Sequence, residues 1–246
     1  MSRTVLIFGA TSRIAECVAR RFAEQKARLI LVGRSREKMA TMGQDLAMRG
    51  AIQVTSHCVD LAATDAIQEF FSRNGELAAT VDTVLVAHGV LPDQQDIQNS
   101  WTLIRDSYEV NLMSSICIAT EVTKWFEEQE RGTLAVITSV AGDRARKSNY
   151  IYGAAKGGLS LYLQGLRNRF GSTPIRIIDI RPGFVDTPMT AHLEKGPLFA
   201  APQHVADGIV KAIERGADIV YLPWFWRWIL LVIKLIPEVL FKKLSL

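Results

Sequence analysis

TVLIFGATSRIAECVARRFAEQ, residues 4–25, decides the fold. Thr4–Phe8 is a short apolar run with β-branched residues, the pattern of a buried strand. Gly9–Ala15 follows as a tight turn, and a helical periodicity then runs through Gln25. Strand, glycine turn and helix together open a dinucleotide-binding unit. Backbone N–H groups and the helix dipole at such a turn receive a phosphate. Gly9, Thr11, Ser12, Arg13 and Ile14 are therefore candidate cofactor contacts. The spacing GxGxxG is absent. On its own the stretch also fits a strand–helix turn that holds no ligand.

The same alternation continues outward. Strands are expected at 28–32, 52–59, 81–87, 133–138, 175–180 and 218–222, with helices at 64–73, 100–126, 152–170 and 202–215 between them. No linker, repeat or low-complexity break interrupts them. The pattern predicts an α/β fold, a single doubly wound parallel sheet with helices on both faces. Ligands of such sheets bind outside the carboxyl ends of the strands. Gly9, Arg34, Asp60 with Leu61, Ala87-His88-Gly89, Ser139 and the segment containing Pro182, Gly183, Val185 and Thr187 all stand at such ends. No acid follows the second strand, where an NAD-binding unit holds the adenosine ribose. Arg34 stands there instead, with Arg13 in the preceding turn, which favours NADP(H) and leaves NAD(H) as the alternative. Asp60 is placed to meet the adenine amino group and Thr187 the nicotinamide amide. His88 reads as a residue lining the cofactor crevice rather than a catalytic base.

The chemistry converges on SNYIYGAAKGG, residues 148–158. Tyr152 and Lys156 lie four residues apart, on one face of a helix. Ser139 ends the strand before them. A free tyrosine titrates near pH ~10, and a lysine cation nearby favours the phenolate. The phenol can then exchange a proton with a carbonyl oxygen or an alcohol, while a serine hydroxyl shares that oxygen. Asn111, inside the long helix at 100–126, reads either as a local kink or as the holder of a water behind Lys156.

Composition narrows the class. At 246 residues, 48% hydrophobic and 22% charged, the chain fits one domain with a full core. A formal charge of +4 without a basic cluster argues against nucleic acid. Cys17, Cys58 and Cys117 are scattered, and neither they nor the four histidines show metal-ligand spacing. The opening MSRTVLIFGA carries no signal-peptide pattern, and a cytoplasmic location is expected.

Over essentially its whole length the chain resembles the short-chain dehydrogenase/reductase family. GATSRIA (9–15), Asp60, AHG (87–89), Asn111, Ser139, YGAAK (152–156) and RPGFVDT (181–187) carry the resemblance. It implies Tyr152 as acid/base, Lys156 as its partner and ribose anchor, Ser139 on the substrate oxygen and Asn111 holding a relay water. It also implies a homodimer through the helices at 101–126 and 152–170. Arg13 and Ala15 stand where the family has glycines, and Ala87-His88 where it has Asn-Ala. AGDRARKSNYIYGAAKGGL (141–159), MTAHLEKGPL (189–198) and the tail through 236–244 are similar to the decaprenylphosphoryl-2-keto-ribose reductases. That likeness implies a lipid-linked or otherwise large, apolar keto substrate and a flavin oxidase as working partner. Reduction of another apolar ketone, or cofactor binding without turnover, are the rival readings.

Residues 1–223 are read as the catalytic domain and 224–246 as an apolar tail. Its charge-free runs are too short to span a bilayer. Arg227, Lys234, Glu238 and Lys242 are spaced to share one helical face, and Pro237 is expected to kink the helix or start a second one. Two placements stay open: in a membrane interface, or against the sheet, the substrate pocket or a partner subunit. A stretch at 191–200 is expected as a flap over the substrate.

Overall fold

A computed structural model describes residues 3–244. The outermost residues of the two expected segments, 1–2 and 245–246, lie outside the described residues. Seven strands form one parallel sheet: β1 (Thr4–Phe8), β2 (Arg28–Gly33), β3 (Gln53–Cys58), β4 (Thr83–Val86), β5 (Gly132–Ile137), β6 (Ile175–Pro182) and β7 (Ile219–Leu222). Their order is β3-β2-β1-β4-β5-β6-β7. The chain reverses direction across the sheet between β1 and β4, which opens a crevice at the carboxyl ends of those strands.

Alternation along β1 explains why the sheet is covered on both sides. Val5 and Ile7 face one core with Val18 and Phe22 of α1 (Arg13–Glu24), Met39 and Leu46 of α2 (Arg36–Met48), and a later helix. Leu6 and Phe8 face the other, with Ile67 of α3 (Thr64–Arg73) and residues of two long helices described below. A strand buried on both faces reads as a continuous apolar run. Each such side chain contributes about 1.5–3 kcal/mol through burial. α2 was not foreseen from the sequence. Its apolar positions Met39, Met42 and Leu46 are few and widely spaced, although Ser35 caps its N-terminus through the Lys38 N–H.

The expected helix at 100–126 is not continuous. After α4 (Gln94–Ile97) it divides into α5 (Trp101–Tyr108), a wide π-type turn (Glu109–Met113) and α6 (Ser114–Gln129). Asn111 sits in that turn, fully buried. Its Oδ1 accepts from the Val90 N–H at 3.0 Å, and its Nδ2 donates to the Val90 carbonyl at 2.9 Å and to Ser107 Oγ at 3.2 Å. The side chain thus pins the turn to the loop that follows β4. The expected kink is realised, with the side-chain amide bonded to Val90 and Ser107.

Beyond it lie α7 (Tyr150–Phe170) and α8 (Pro202–Arg215), then α9 (Trp226–Leu235) and α10 (Glu238–Phe241). α6 and α7 cover the second core with Phe126 and Leu163, and α8 covers the first with Ile209 and Ile213. Among the described residues no helix is long and apolar enough to cross a membrane.

Replacing Asn111 with Ala would strip the Val90 N–H and carbonyl of their partner inside the fold. The expected loss of stability in urea unfolding is about 1–3 kcal/mol.

Candidate active site

α7 approaches the end of β5 more closely than ordinary side chains permit. A Cβ on Gly153 would meet the Ala141 carbonyl oxygen at 2.8 Å, and one on Gly157 the Gly142 oxygen at 2.8 Å. The two glycines therefore let the Val140–Gly142 turn lie backbone-on-backbone against the helix, and this brings Ser139 beside Tyr152. Ser139 Oγ accepts from the Ala141 N–H at 3.1 Å, which leaves its own proton to be donated. Tyr152 is half-buried by area. Its hydroxyl is surrounded by protein. This desolvation pushes the phenol up to about 12, against a smaller downward pull from its hydrogen bond with Ser139.

Lys156 is buried, and its Nζ donates to the Ile137 carbonyl at 3.1 Å. Burial pushes its ammonium down to about 8, with the Asp179 charge working in the opposite direction. The expected lowering of the Tyr152 pKa by Lys156 is therefore not what this structure has. Nζ lies 6.0 Å from the centre of the Tyr152 ring, and desolvation dominates. At neutral pH the phenol carries its proton and the lysine its charge.

Behind this pair runs a buried chain of charges that sequence reading did not find. Asp179, fully buried in β6, accepts from Thr138 Oγ1 at 2.6 Å and from Arg181 Nε and Nη2 at 2.9 and 2.7 Å. Arg181 Nη1 also donates to Asp143 Oδ1 at 2.8 Å and to the Tyr221 hydroxyl at 3.0 Å. Asp143 Oδ2 in turn accepts from the Tyr221 hydroxyl at 2.7 Å and from Lys234 Nζ at 3.3 Å. Burial alone would lower the Arg181 pKa, but the bonds to Asp179 and the charges of Asp179 and Asp143 raise it above the ordinary guanidinium range. The network joins the residue before Ser139, the end of β6, the turn after Ser139 and the tail. The arginine beside Pro182 was the visible sign of it.

On the cofactor side Gly9 has φ of +75°, and a Cβ there would meet the His88 backbone N at 2.6 Å. Glycine is required at this one point of the turn. Ser12 caps α1, accepting from the Ala15 N–H at 3.3 Å. Arg13 turns outward onto Glu16 at 2.6 Å, and Ala15 is sealed in the core. Thr11 is exposed and Ile14 half-buried at the same turn. Arg34 is exposed at the end of β2, and Asp60 Oδ1 accepts from the Ala62 N–H at 3.1 Å with Leu61 buried beside it. Ala87 is buried at the end of β4, and Gly89 lies against Asn111 and Lys156.

His88 pairs through Nε2 with Ser114 Oγ at 2.7 Å. The Ser114 hydroxyl is itself spent on the Val110 carbonyl, so Nε2 is the donor and Nδ1 a bare acceptor. Nδ1 is buried without a partner. Burial and the Lys156 charge push the ring down to about 3, too weakly basic for a general base at neutral pH.

Pro182, the last residue of β6, and Val185 beyond it are buried, and Val185 bridges Ala200. Phe184 stacks on Phe199, so the far end of the expected 191–200 flap is pinned to this segment. Thr187 stands at the mouth, its N–H donating to Thr190 Oγ1 at 3.3 Å. Gly183 is covered by the Trp226 indole, which comes from the tail.

Residues 3–197 match the short chain dehydrogenase family. The chain belongs to this family. It is 30% identical to an uncharacterized oxidoreductase of Mycobacterium tuberculosis, over 98% of this chain and 96% of that one. It is 31% identical to an uncharacterized oxidoreductase of Streptomyces coelicolor, again over 98% and 96%. Two solved structures share the fold at 22% identity. One is a short-chain dehydrogenase from Sphingobium yanoikuyae in complex with NADPH (TM-score 0.84, covering 98% of this chain and 96% of that one). The other is an actinorhodin polyketide ketoreductase variant with NADPH (TM-score 0.81, covering 92% and 97%). The likeness to decaprenylphosphoryl-2-keto-ribose reductases is finer than any of these matches.

The buried charge chain generates its own test. Asp143→Ala leaves Arg181 and Lys234 without a shared carboxylate. The expected loss is about 3–5 kcal/mol of unfolding free energy, as for other broken buried pairs. Equilibrium denaturation beside the wild type measures it.

Proposed function

We propose that the chain is an NADPH-dependent ketoreductase of a large, apolar, lipid-linked keto sugar. The observation that carries the chemistry is the protonated Tyr152 hydroxyl, desolvated, bonded to Ser139, and one helical turn from a buried lysine cation. A phenol held near 12 keeps its proton until a stronger acceptor forms beside it. A carbonyl oxygen receiving a hydride at its carbon is such an acceptor. The nicotinamide cofactor supplies that hydride when bound. Ser139 donates to the developing oxyanion, Tyr152 hands over its proton, and the Lys156 charge steadies the phenolate left behind.

The crevice residues fit the dinucleotide. The Gly9 turn lets a backbone approach a pyrophosphate, and the orphaned His88 Nδ1 is an acceptor for a ribose hydroxyl. Thr11, Ser12, Arg13 and Ile14 line that turn, Asp60 and Leu61 the adenine side, and Pro182, Gly183, Val185 and Thr187 the nicotinamide side. Arg34 is exposed at the end of β2 with no acid beside it, as a 2′-phosphate requires, and the two NADPH-bound neighbours point the same way. NAD(H) is the weaker fit.

The substrate reading rests on the aromatic and apolar tail beside the catalytic turn and on the sequence likeness given above. A flavin oxidase forming the ketone is the matching partner, and a lipid-linked substrate sets the reaction at a membrane. Exposed Trp101, Met113 and Leu161 on α5–α7 are apolar surface that a homodimer would cover.

The deciding assay uses a polyprenylphosphoryl 2-keto-pentose made in situ by a flavin oxidase, with NADPH and NADH in parallel. Turnover with an NADPH preference is expected, and Arg34→Ala should erase most of that preference while sparing NADH. Tyr152→Phe should bind NADPH normally, by fluorescence, and lose about 10²–10⁴ in kcat. Full turnover by that variant would refute the mechanism.

The pH profile of reduction follows from Lys156. Its ammonium is charged below about 8 and neutral above, so kcat/KM should hold below that value and decline as pH rises through it. A profile flat to pH ~10 would remove Lys156 from the proton transfer.

A further inference from the structure

We propose that the outer face of α9 and α10 is a docking surface for a bilayer containing anionic lipid. The inference deepens the proposed function, and rests on it only for the substrate: a ketone embedded in that bilayer.

α9 has two apolar faces. The inner one is occupied. Trp226 and Leu230 are buried against Val140, Phe184 and Tyr221. Arg144 Nη1 donates to the carbonyls of Ile233 and Ile236, both at 2.6 Å, closing the open end of the helix. Its Nη2 holds Glu238 at 3.0 Å, and its guanidinium lies 3.7 Å from the centre of the Phe241 ring. Lys234 is bound to Asp143 at 3.3 Å. The helix therefore cannot roll to hide its other side.

That outer side carries Trp228, Leu231, Val232 and Leu235, between 45% and 75% exposed. Their spacing of three, one and three residues keeps them on one helical stripe. Val239 and Leu240 continue the exposed apolar surface past the break at Pro237, and Trp224 opens it. The break also revises the expected charged face. Of its four members, Lys234 and Glu238 stay exposed but are paired with Asp143 and Arg144, while Arg227 and Lys242 are exposed without an ion pair among the described residues.

Charge chooses the occupant. The exposed charges of the tail are Arg227, Lys234, Lys242 and Lys243 against the single acid Glu238, which is paired with Arg144, so the rim is net basic. Basic residues rimming a tryptophan-bearing apolar face suit anionic headgroups, with the apolar side chains in the acyl boundary. A second copy of the same face would bring the same cations together. The docked face is also the back of the element that braces the catalytic turn. Asp143 and Arg144 follow Ser139 by four and five residues, so docking sets the crevice beside the bilayer.

The test is flotation of the full chain with phosphatidylcholine vesicles, with and without phosphatidylglycerol, at low and high salt. The wild type should float with the anionic vesicles, at least about tenfold better than with phosphatidylcholine alone, and less so at high salt. Combining Trp228→Glu, Val232→Glu and Leu235→Glu should lower the bound fraction by at least about tenfold, with kcat/KM on a water-soluble ketone unchanged. Lys242→Glu with Lys243→Glu, which leaves the apolar stripe intact, should weaken only the anionic-lipid component. A wild type that stays unbound overturns the proposal. So does a concentration-dependent dimer, without vesicle binding, that the triple variant dissolves. Vesicle binding without reduction of any ketone upholds the docking surface and instead defeats the ketoreductase reading.

Discussion

A carboxylate without water governs the catalytic end of this molecule. Asp179 lies fully buried within β6, and its charge is tolerable there only because Thr138 and Arg181 satisfy it. Those bonds fix three things at once. Thr138 sets the last residue before Ser139. Arg181 reaches across to Asp143 and so sets the turn after Ser139. The unscreened charge on Asp179 helps Lys156 keep its proton in a site where burial works against it. Position and protonation thus share one source. A buried ion network is weak evidence for stability; here it joins segments that the sheet alone would leave free to move.

The glycines of α7 answer a different constraint. The network holds the turn in place along the strand ends, but it does not press it onto the helix. Gly153 and Gly157 remove the side chains that would keep the Val140–Gly142 backbone away. They lie one residue after Tyr152 and Lys156, so the bare strip of helix runs beside the reactive one. A helix spaced out by ordinary side chains would hold the turn, and Ser139 with it, farther from the phenol.

Much of this was legible in the sequence, for identifiable reasons. All seven strands were found with ends within two residues; β1 and β4 are buried on both faces and write themselves as apolar runs, whereas β3 is an edge strand of mostly exposed, polar residues. Tyr152, Lys156 and Ser139 were legible because their spacing and strand-end positions are local. α2 was not, because its core-facing side chains are sparse. The division of the 100–126 helix was half legible: Asn111 announced a kink, but its bond to Val90 is a contact across 21 residues that no periodicity encodes. The charge chain was illegible for the same reason. Asp143, Asp179, Arg181, Tyr221 and Lys234 are scattered in sequence and read singly as surface charges and an ordinary aromatic. The direction of the Tyr152 shift was misread because sequence shows the neighbouring cation and not the removal of water.

That misreading bears on the proton the site holds at rest. A phenol lowered toward neutrality by a lysine would serve oxidation and reduction alike. A phenol held high by desolvation, with the lysine set back against a backbone carbonyl, rests protonated. A raised pKa makes the phenol a weaker acid and its phenolate a stronger base, so the resting site holds the proton and yields it only to a more basic oxygen. The tail works in the same sense. By seating Trp226 on Gly183 and tying Lys234 and the end of α9 to Asp143 and Arg144, it keeps this side of the crevice apolar and covered. The segment that presents the apolar outer face is therefore also the one tied to the turn that follows Ser139.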